Sequence, residues 1–370
     1  MIKEIIKAII FTVMVVLLTV GLAFIGIYIY FMKITITEES QTYEGNITIL
    51  SPFDNEGKKD KENSNKNELE NIEINPTPVG TKDENEYYYK QLNEYSKIIY
   101  NELEKNKENL KTGTYKLDFG NAFNDLLSQE NGAKILQENY QSGMETYLYD
   151  NPDIFYLDPT KMYINIQTTK KLFTTEYEVY IDQGKNLNYL AEGYTSKAQI
   201  QEHEEQIEQE VQKILENVRG KTDYQKILAI HDYLVDNVSY DQTLTKYNIY
   251  NMYGALVNKD AVCEGYAKAF KYLMDRVNIK SVVVIGLATD SNEETQNHAW
   301  NYVELDGVWY GIDVTWDDPI VIGGGKIGKS QKYKYFLKSK STMSKDHTAS
   351  VTFVDGGKEY THPELSNSDY

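Results

Sequence analysis

The sequence predicts an α+β protein in which a helix that begins near the chain's one cysteine packs against an antiparallel sheet. Apolar and aromatic residues follow Cys263 at helical spacing, which predicts one buried helix face. Further on, 298–305 and 308–316 are strand-like runs joined by Asp306-Gly307, a dipeptide typical of a two-residue type I′ hairpin. We expect a small α+β module and one N-terminal transmembrane helix to precede this core.

Composition narrows the classes of partner. The chain carries 56 acidic and 38 basic residues and a net charge of -18, which would repel a phosphate backbone, so no nucleic acid is expected. Cys263 is the only cysteine, so no intramolecular disulfide can form and a free thiol is predicted. The 32 tyrosines could line a sugar- or peptide-binding surface, but half-buried packing positions are the favoured interpretation.

Residues 1–33 predict a transmembrane signal anchor. The uncharged run from Ala8 to Met32 is long enough to cross a hydrocarbon core of about 30 Å. A cleaved signal peptide is the alternative, but its apolar region usually has only about 7–15 residues and a small-residue cleavage site follows it. Lys3 and Lys7 favour a cytoplasmic N-terminus. We therefore expect a single-pass protein of the cell membrane with its remainder outside the cytoplasm.

Residues 34–85 are predicted to form a disordered polar linker. From about Ser51 to Asn85 the chain is mostly Lys, Asn, Glu and Asp, with too little apolar content to offset chain entropy. No repeat of fixed period follows, so a solenoid or propeller is not expected.

Residues 86–218 predict a small α+β module. His203 lies in the charged run 201–205 and is expected on a solvated helix face. No group of residues in this module suggests chemistry. Apolar periodicity predicts helices over 86–106, 133–149 and 196–218, and strands over 155–157, 162–166 and 175–180.

The remaining residues, 219–370, are predicted to be the catalytic domain. Asp260 is the expected N-cap of the cysteine helix, which would put Cys263 in its first turn. Unpaired amide N–H groups and the positive end of the helix dipole favour a thiolate there. A small buried structural residue is the alternative interpretation of a lone cysteine.

The predicted hairpin supplies a base for this thiol. Its turn would place Asp313 opposite Trp300, so that His298 and Asp313 share a sheet face as diagonal neighbours with Cα atoms about 7–8 Å apart. A carboxylate there fixes the tautomer and orientation of the imidazole, leaving the second nitrogen to exchange a proton with a thiol. Alone, the two residues would be an ordinary cross-strand pair. Together with Cys263 they predict a catalytic triad.

Residues 224–319 resemble the transglutaminase-like core of the papain-type cysteine hydrolase fold. The resemblance implies that Cys263 is the nucleophile, His298 its base and Asp313 the orienting acid, between a helix and an antiparallel sheet. The matching segments are 231–235 (HDYLV), 238–241 (VSYD), 253–256 (YGAL), 262–267 (VCEGYA), 298–301 (HAWN) and 313–319 (DVTWDDP).

The donors for an oxyanion are less evident. Many animal transglutaminases of this fold use a tryptophan upstream of the cysteine, whereas the three tryptophans here all lie downstream. The backbone N–H of Cys263 is one candidate donor, and Tyr253 or Tyr240 is a candidate for the second. No acidic loop has calcium-ligand spacing, and no cofactor or metal is expected.

One segment matches a different motif. Residues 323–330 fit the P-loop pattern, but a P-loop opens a helix and 333–337 predict a strand, so a flexible loop is favoured over nucleotide binding.

The predicted function is an extracytoplasmic cysteine-nucleophile enzyme that acts through a thioester on amide bonds of a protein or peptide, with a cell-wall-associated substrate as one candidate. Hydrolysis is favoured on the resemblance. The alternatives are a cross-linking transglutaminase, a non-catalytic cell-surface binding module on the same fold, and a metal held by Cys, His and Asp.

Overall fold

The predicted anchor and most of the predicted linker lie outside the part of the chain that the structure describes. Within that part, no helix is both long and apolar enough to cross a membrane. The computed structural model describes residues 40–45, 86–170, 174–318, 329–353 and 357–370.

The described residues form both helices and strands along their whole length. The strands are β1 (Ser40–Gly45), β2 (Leu117–Gly120), β3 (Tyr163–Lys170), β4 (Thr175–Asp182), β5 (Ser239–Tyr240), β6 (Asp260–Ala261), β7 (Ser281–Thr289), β8 (Thr295–Leu305), β9 (Val308–Ile312) and β10 (His347–Ala349). The α-helices are α1 (Glu94–Lys105), α2 (Lys107–Leu110), α3 (Asn124–Leu127), α4 (Gly132–Asp150), α5 (Lys197–Val218), α6 (Asp223–Asn237), α7 (Cys263–Arg276), α8 (Val314–Asp317), α9 (Lys329–Lys332) and α10 (Lys340–Met343). Single turns of other helix types lie at Tyr89–Gln91, Pro159–Lys161 and Gly254–Asn258.

The strands form two antiparallel sheets of four and one parallel pair. The first sheet has the order β1-β3-β4-β2, and its edge strand β1 is the described part of the predicted linker. The second has the order β10-β7-β8-β9, and the short strands β5 and β6 pair just before α7. Helix α7 packs on β7 and β8, where Asn301 Nδ2 donates to the carbonyl oxygen of Ala267 at 3.0 Å. The predicted α+β core, a cysteine helix on an antiparallel sheet, is confirmed.

The predicted hairpin turn is also confirmed. Leu305 pairs with Val308 across β8 and β9. Asp306 and Gly307 have φ values of 53° and 78°, and a type I′ turn needs positive φ at both central positions.

The hairpin ends sooner than predicted. Its last pair is Asn301 and Ile312, so the expected pairing of Asp313 with Trp300 is wrong. Asp313 instead caps α8, because its carboxylate accepts the backbone N–H of Trp316 at 3.1 Å and turns the chain out of the sheet.

Two segments of the N-terminal module differ from the prediction. The helix expected over 86–106 begins only at Glu94, because the Asn93 side chain accepts the N–H of Ser96 and caps it there. The strand expected over 155–157 is absent apart from an isolated bridge between Leu157 and Leu190.

The segment after the P-loop-like sequence also differs. The strand expected over 333–337 is a series of turns that follows α9. Most of the glycine-rich segment, 319–328, lies outside the described residues.

The two halves of the chain share one hydrophobic core. The predicted boundary at 218/219 falls between α5 and α6, yet the cluster of buried apolar side chains continues across it. Tyr88 belongs to the first half, but its hydroxyl donates to the carbonyl oxygen of Val283 at 2.9 Å and its ring packs on Phe353. The N-terminal module therefore supports the sheet that carries His298.

Helix α5 lies against the second half through polar contacts. Arg276 binds both carboxylate oxygens of Glu208, at 2.7 and 3.0 Å. His203 does not lie on a freely solvated face as expected, since its ring stacks on Tyr253 with centroids 4.0 Å apart.

Candidate active site

Cys263 is the first residue of α7. Val262 occupies the N-cap position without a side-chain cap, so the expected cap at Asp260 is wrong; Asp260 lies in β6 and its carboxylate pairs with Lys246. The thiol residue is only 5% exposed. At the first position of a 14-residue helix, the free N–H groups and the helix dipole stabilise negative charge on Sγ.

His298 and Asp313 meet beside this helix end. Nε2 of His298 lies 2.8 Å from Oδ2 of Asp313, and both side chains are buried. The other carboxylate oxygen of Asp313 accepts the N–H of Trp316, so the N-cap of α8 fixes the orientation of the carboxylate. Since Nε2 faces Asp313, the ring nitrogen left for a thiol is Nδ1.

The electrostatics favour a protonated His298. Burial alone would lower the pKa of His298, but the charge and hydrogen bond of Asp313, together with a hydrogen bond to Cys263, raise that pKa to about 10. Burial would raise the pKa of Asp313, yet the neighbouring imidazoles hold it well below its usual range. The raised pKa of His298 favours a protonated imidazole beside Cys263.

A second histidine contacts the same carboxylate. Nε2 of His347 lies 3.0 Å from Oδ2 of Asp313, the oxygen that also faces His298, and Nδ1 of His347 lies 2.7 Å from Oδ1 of Asp346. No sequence pattern marks this residue as part of the site, because nothing local connects it to the hairpin. It reaches the site only through the pairing of β10 with β7.

The two tyrosines considered as oxyanion donors lie in different surroundings. Tyr240 lies in β5. Burial raises the pKa of its hydroxyl most, and the charge of the Cys263 thiolate is the next largest cause of this rise. Tyr253 instead donates its hydroxyl to Gln206 of α5 at 2.6 Å. Of the two hydroxyls, that of Tyr240 lies in the electrostatic neighbourhood of the thiol.

Three side chains at the site have the spacing of a metal-ligand group. The ligand-type atoms of His298, Asp313 and His347 lie within 4.8 Å of one another. However, Nε2 of His298 and Nε2 of His347 face the same oxygen of Asp313, at 2.8 and 3.0 Å. These are the distances of N–H···O hydrogen bonds. We interpret the group as two imidazoles donating to one carboxylate.

Similarity to known proteins covers part of the chain. Residues 211–314 match the sequence profile of the transglutaminase-like superfamily. No curated protein matches the chain. Among solved structures, a TGase is 18% identical over 45% of this chain and 47% of its own, with a TM-score of 0.29. A candidate cysteine protease from Cytophaga hutchinsonii is 16% identical over 41% and 57%, with a TM-score of 0.25. A candidate protease from Parabacteroides distasonis is 11% identical over 40% and 35%, with a TM-score of 0.23. The chain thus spans less than two thirds of the length of each.

The geometry and the profile agree on the class. A cysteine at a helix N-terminus, a buried imidazole on the adjoining sheet and a carboxylate at the N-cap of α8 have the arrangement of a Cys-His-Asp site of the papain type. The segment that matches the transglutaminase-like superfamily, 211–314, contains Cys263, His298 and Asp313.

Proposed function

We propose that the protein is a cysteine-nucleophile enzyme that cleaves amide bonds of a protein or peptide through a thioester. The observation that carries this proposal is the position of the buried His298 imidazole, which is hydrogen-bonded to Asp313 and close enough to Cys263 for the thiol to help raise its pKa. General acid–base catalysis by such a group contributes about 10²–10⁴-fold in rate.

The chemistry divides into two steps. Thiolate Sγ attacks the amide carbonyl carbon, the C–N bond breaks, and the proton on His298 passes to the departing amine. The resulting thioester is then attacked by water, which gives its proton to His298. The carboxylic acid product leaves, and the pair of thiolate and imidazolium is restored.

Hydrolysis is the proposed fate of the thioester, as the resemblance to hydrolytic members of the superfamily implies. A cross-linking transglutaminase would use a lysine amine in place of water. Incubation with dimethylated casein and dansylcadaverine distinguishes them. Ammonia or peptide release without label indicates hydrolysis, and covalent labelling of casein indicates transfer.

The thiol itself provides the first test. Because Cys263 is the only cysteine, iodoacetamide consumption reports this residue alone. The rate of alkylation is measured from pH 4 to pH 11 for the wild type, His298→Ala and Asp313→Asn, with Cys263→Ser as background. We expect a reactive thiolate well below the free-cysteine pKa of about 8.5, and its loss in both variants. Ordinary titration of Cys263 in all three proteins would contradict the enzyme and favour a binding module on the same fold.

We further propose that residues 8–32 anchor the protein in the cell membrane with the catalytic domain outside the cytoplasm. The support is the uncharged apolar run and the lysines that precede it. Carbonate extraction of membranes, followed by protease treatment of intact cells, tests both parts. Recovery in the soluble fraction, or full protection from the protease, would contradict this topology.

A further inference from the structure

The ring of His347 has a carboxylate oxygen at each nitrogen. Asp313 Oδ2 lies at 3.0 Å from Nε2 and Asp346 Oδ1 at 2.7 Å from Nδ1. Ionised carboxylates only accept hydrogen bonds, so an imidazole between two of them needs an N–H on both nitrogens and is then a cation. We propose that His347 is a positioning residue: a buried imidazolium that holds Asp313 from the side opposite His298 and sets the pH limits of Cys263 reactivity. This inference rests on the proposed function.

The fold brings the two histidines together through β7. This strand pairs with β8 on one side, where Gly286 lies opposite His298, and with β10 on the other, where Gly286 lies opposite Ala349. A Cβ atom at Gly286 would lie 2.1 Å from the carbonyl oxygen of Thr348, so only glycine allows β10 to lie this close. The ring centroids of His298 and His347 are therefore 5.7 Å apart.

Aromatic rings separate His347 from solvent. The rings of Trp316, Trp300 and Tyr335 have centroids 4.7, 5.0 and 5.1 Å from its own, and the residue is 5% exposed. Charges interact more strongly in such surroundings than in water. The titratable and charged groups that face His347 or its carboxylate partners are Asp313, Asp346, His298, Asp317 and Tyr240 (both within range of the Asp313 charge), Tyr335 (which donates to Asp346 at 2.6 Å) and Lys334 (whose Nζ contacts Tyr335).

The two imidazoles share one carboxylate oxygen, so each weakens the hold of Asp313 on the other. The hydrogen bonds of Asp313 and Asp346 raise the pKa of His347 against the effect of burial, while the charge of His298 lowers it. By the same reciprocity, the His347 cation keeps His298 from binding its proton too tightly to return it to a leaving amine. It also stabilises the nearby thiolate. Removing the cation should therefore move both proton equilibria to higher pH.

The test uses the full-length protein, treated with EDTA, and the rate of Cys263 alkylation by iodoacetamide from pH 4 to pH 11. His347→Gln keeps a hydrogen-bond donor and removes the charge; Asp346→Asn keeps His347 and removes one of its carboxylates. We expect both inflections of the rate profile to rise by about one pH unit in His347→Gln, and by less in Asp346→Asn. His362→Gln is the matched control, since His362 contacts Tyr88 and the backbone of Ser350, and it should leave both inflections unchanged.

The outcomes separate the two proposals. A wild-type profile with a single ordinary thiol inflection near 8.5 would refute the proposed function itself. If the wild-type profile has two inflections and neither variant moves them, the proposed role of His347 is refuted while the proposed function stands. This holds even if the variants react more slowly. If His347→Gln does not fold, as judged by near-UV circular dichroism, the Asp346→Asn profile decides. A wild-type profile that EDTA shifts would assign the three side chains to a metal and would also overturn the proposal.

Discussion

Nε2 of His231 lies 3.1 Å from Oδ2 of Asp317, and both side chains are fully enclosed. His231 belongs to α6 and Asp317 to α8, the short helix that Asp313 caps. Burial raises the pKa of Asp317 to about 6, with the charge of Asp313 adding to the effect and the contact with His231 opposing it. A buried ion pair thus connects α6 to the segment that carries the orienting carboxylate.

Removing one partner of this pair should be costly. His231→Leu leaves the Asp317 carboxylate buried without its counter-ion, which is expected to lower the free energy of unfolding by about 3–5 kcal/mol. The double variant His231→Leu/Asp317→Leu should lose less than the sum of the single losses. Urea unfolding at pH 7 measures both, with Asp236→Asn as control: the Asp236 side chain is 59% exposed, pairs with Lys332 and should contribute about 1 kcal/mol or less. Equal stability of His231→Leu and the wild type would contradict the assignment.

The buried carboxyl of Glu145 should make the stability of the protein depend on pH. Burial in α4 raises the pKa of its carboxyl from 4.5 to about 7, and the neighbouring Gln141 side chain opposes this rise only in part. The folded protein therefore holds a proton that the unfolded chain releases above about pH 4.5, so this contribution to stability is present at acid pH and is lost as pH rises through 7. A shift of this size corresponds to about 3 kcal/mol.

Glu145→Gln should remove this loss, because the amide is neutral at every pH. The melting temperature of the variant, compared with that of the wild type from pH 5 to pH 8, should show a growing advantage with rising pH and a plateau above 7. Glu138→Gln is the control. Glu138 lies on the same helix with more than half of its side chain exposed, so this substitution should have little effect on the melting temperature at any pH. A constant difference between Glu145→Gln and the wild type would show that the carboxyl is already ionised in the fold.

Local chemistry explains which parts of the site could be predicted from the sequence. The Asp306-Gly307 turn fixes the register of its hairpin through two positive φ values, and the helical spacing after Cys263 marks a face that is indeed buried. These two features place the cysteine helix and the His298 strand without any long-range information.

The parts that could not be predicted depend on contacts between distant segments. His347 reaches Asp313 because β10 adds to the edge of β7, and a three-residue strand has no periodicity to reveal it. Asp313 leaves the sheet because its carboxylate caps α8. The alternating pattern of β9 does not show whether this residue continues the strand or caps a helix. The sequence alone cannot show which of Tyr253 and Tyr240 lies nearer the thiol. The position of α5, which binds the Tyr253 hydroxyl through Gln206, distinguishes them.

The turn itself offers a local test. Gly307 has a φ of 78°, and a Cβ atom added there would meet no other atom within 4 Å. Gly307→Ala should therefore lower the free energy of unfolding by about 1 kcal/mol through backbone strain alone. Urea unfolding measures this loss, and Val308→Ala, at a partly exposed position next to it, serves as control. No loss in Gly307→Ala would mean that the turn is not of type I′.

The pair Tyr240 and Tyr253 separates oxyanion stabilisation from formation of the thiolate. The charge of the Cys263 thiolate raises the pKa of the Tyr240 hydroxyl, whereas the Tyr253 hydroxyl donates to Gln206. Alkylation by iodoacetamide develops no oxyanion, but acylation by p-nitrophenyl acetate does. Tyr240→Phe should therefore slow the release of p-nitrophenol by about 10²-fold while the alkylation rate changes little, because a lost oxyanion donor costs about 10²–10³-fold. Tyr253→Phe, which removes the same atom at the other position, should leave both rates near those of the wild type. If neither variant loses acylation, the second donor is neither hydroxyl, and a backbone N–H beside that of Cys263 has to supply it.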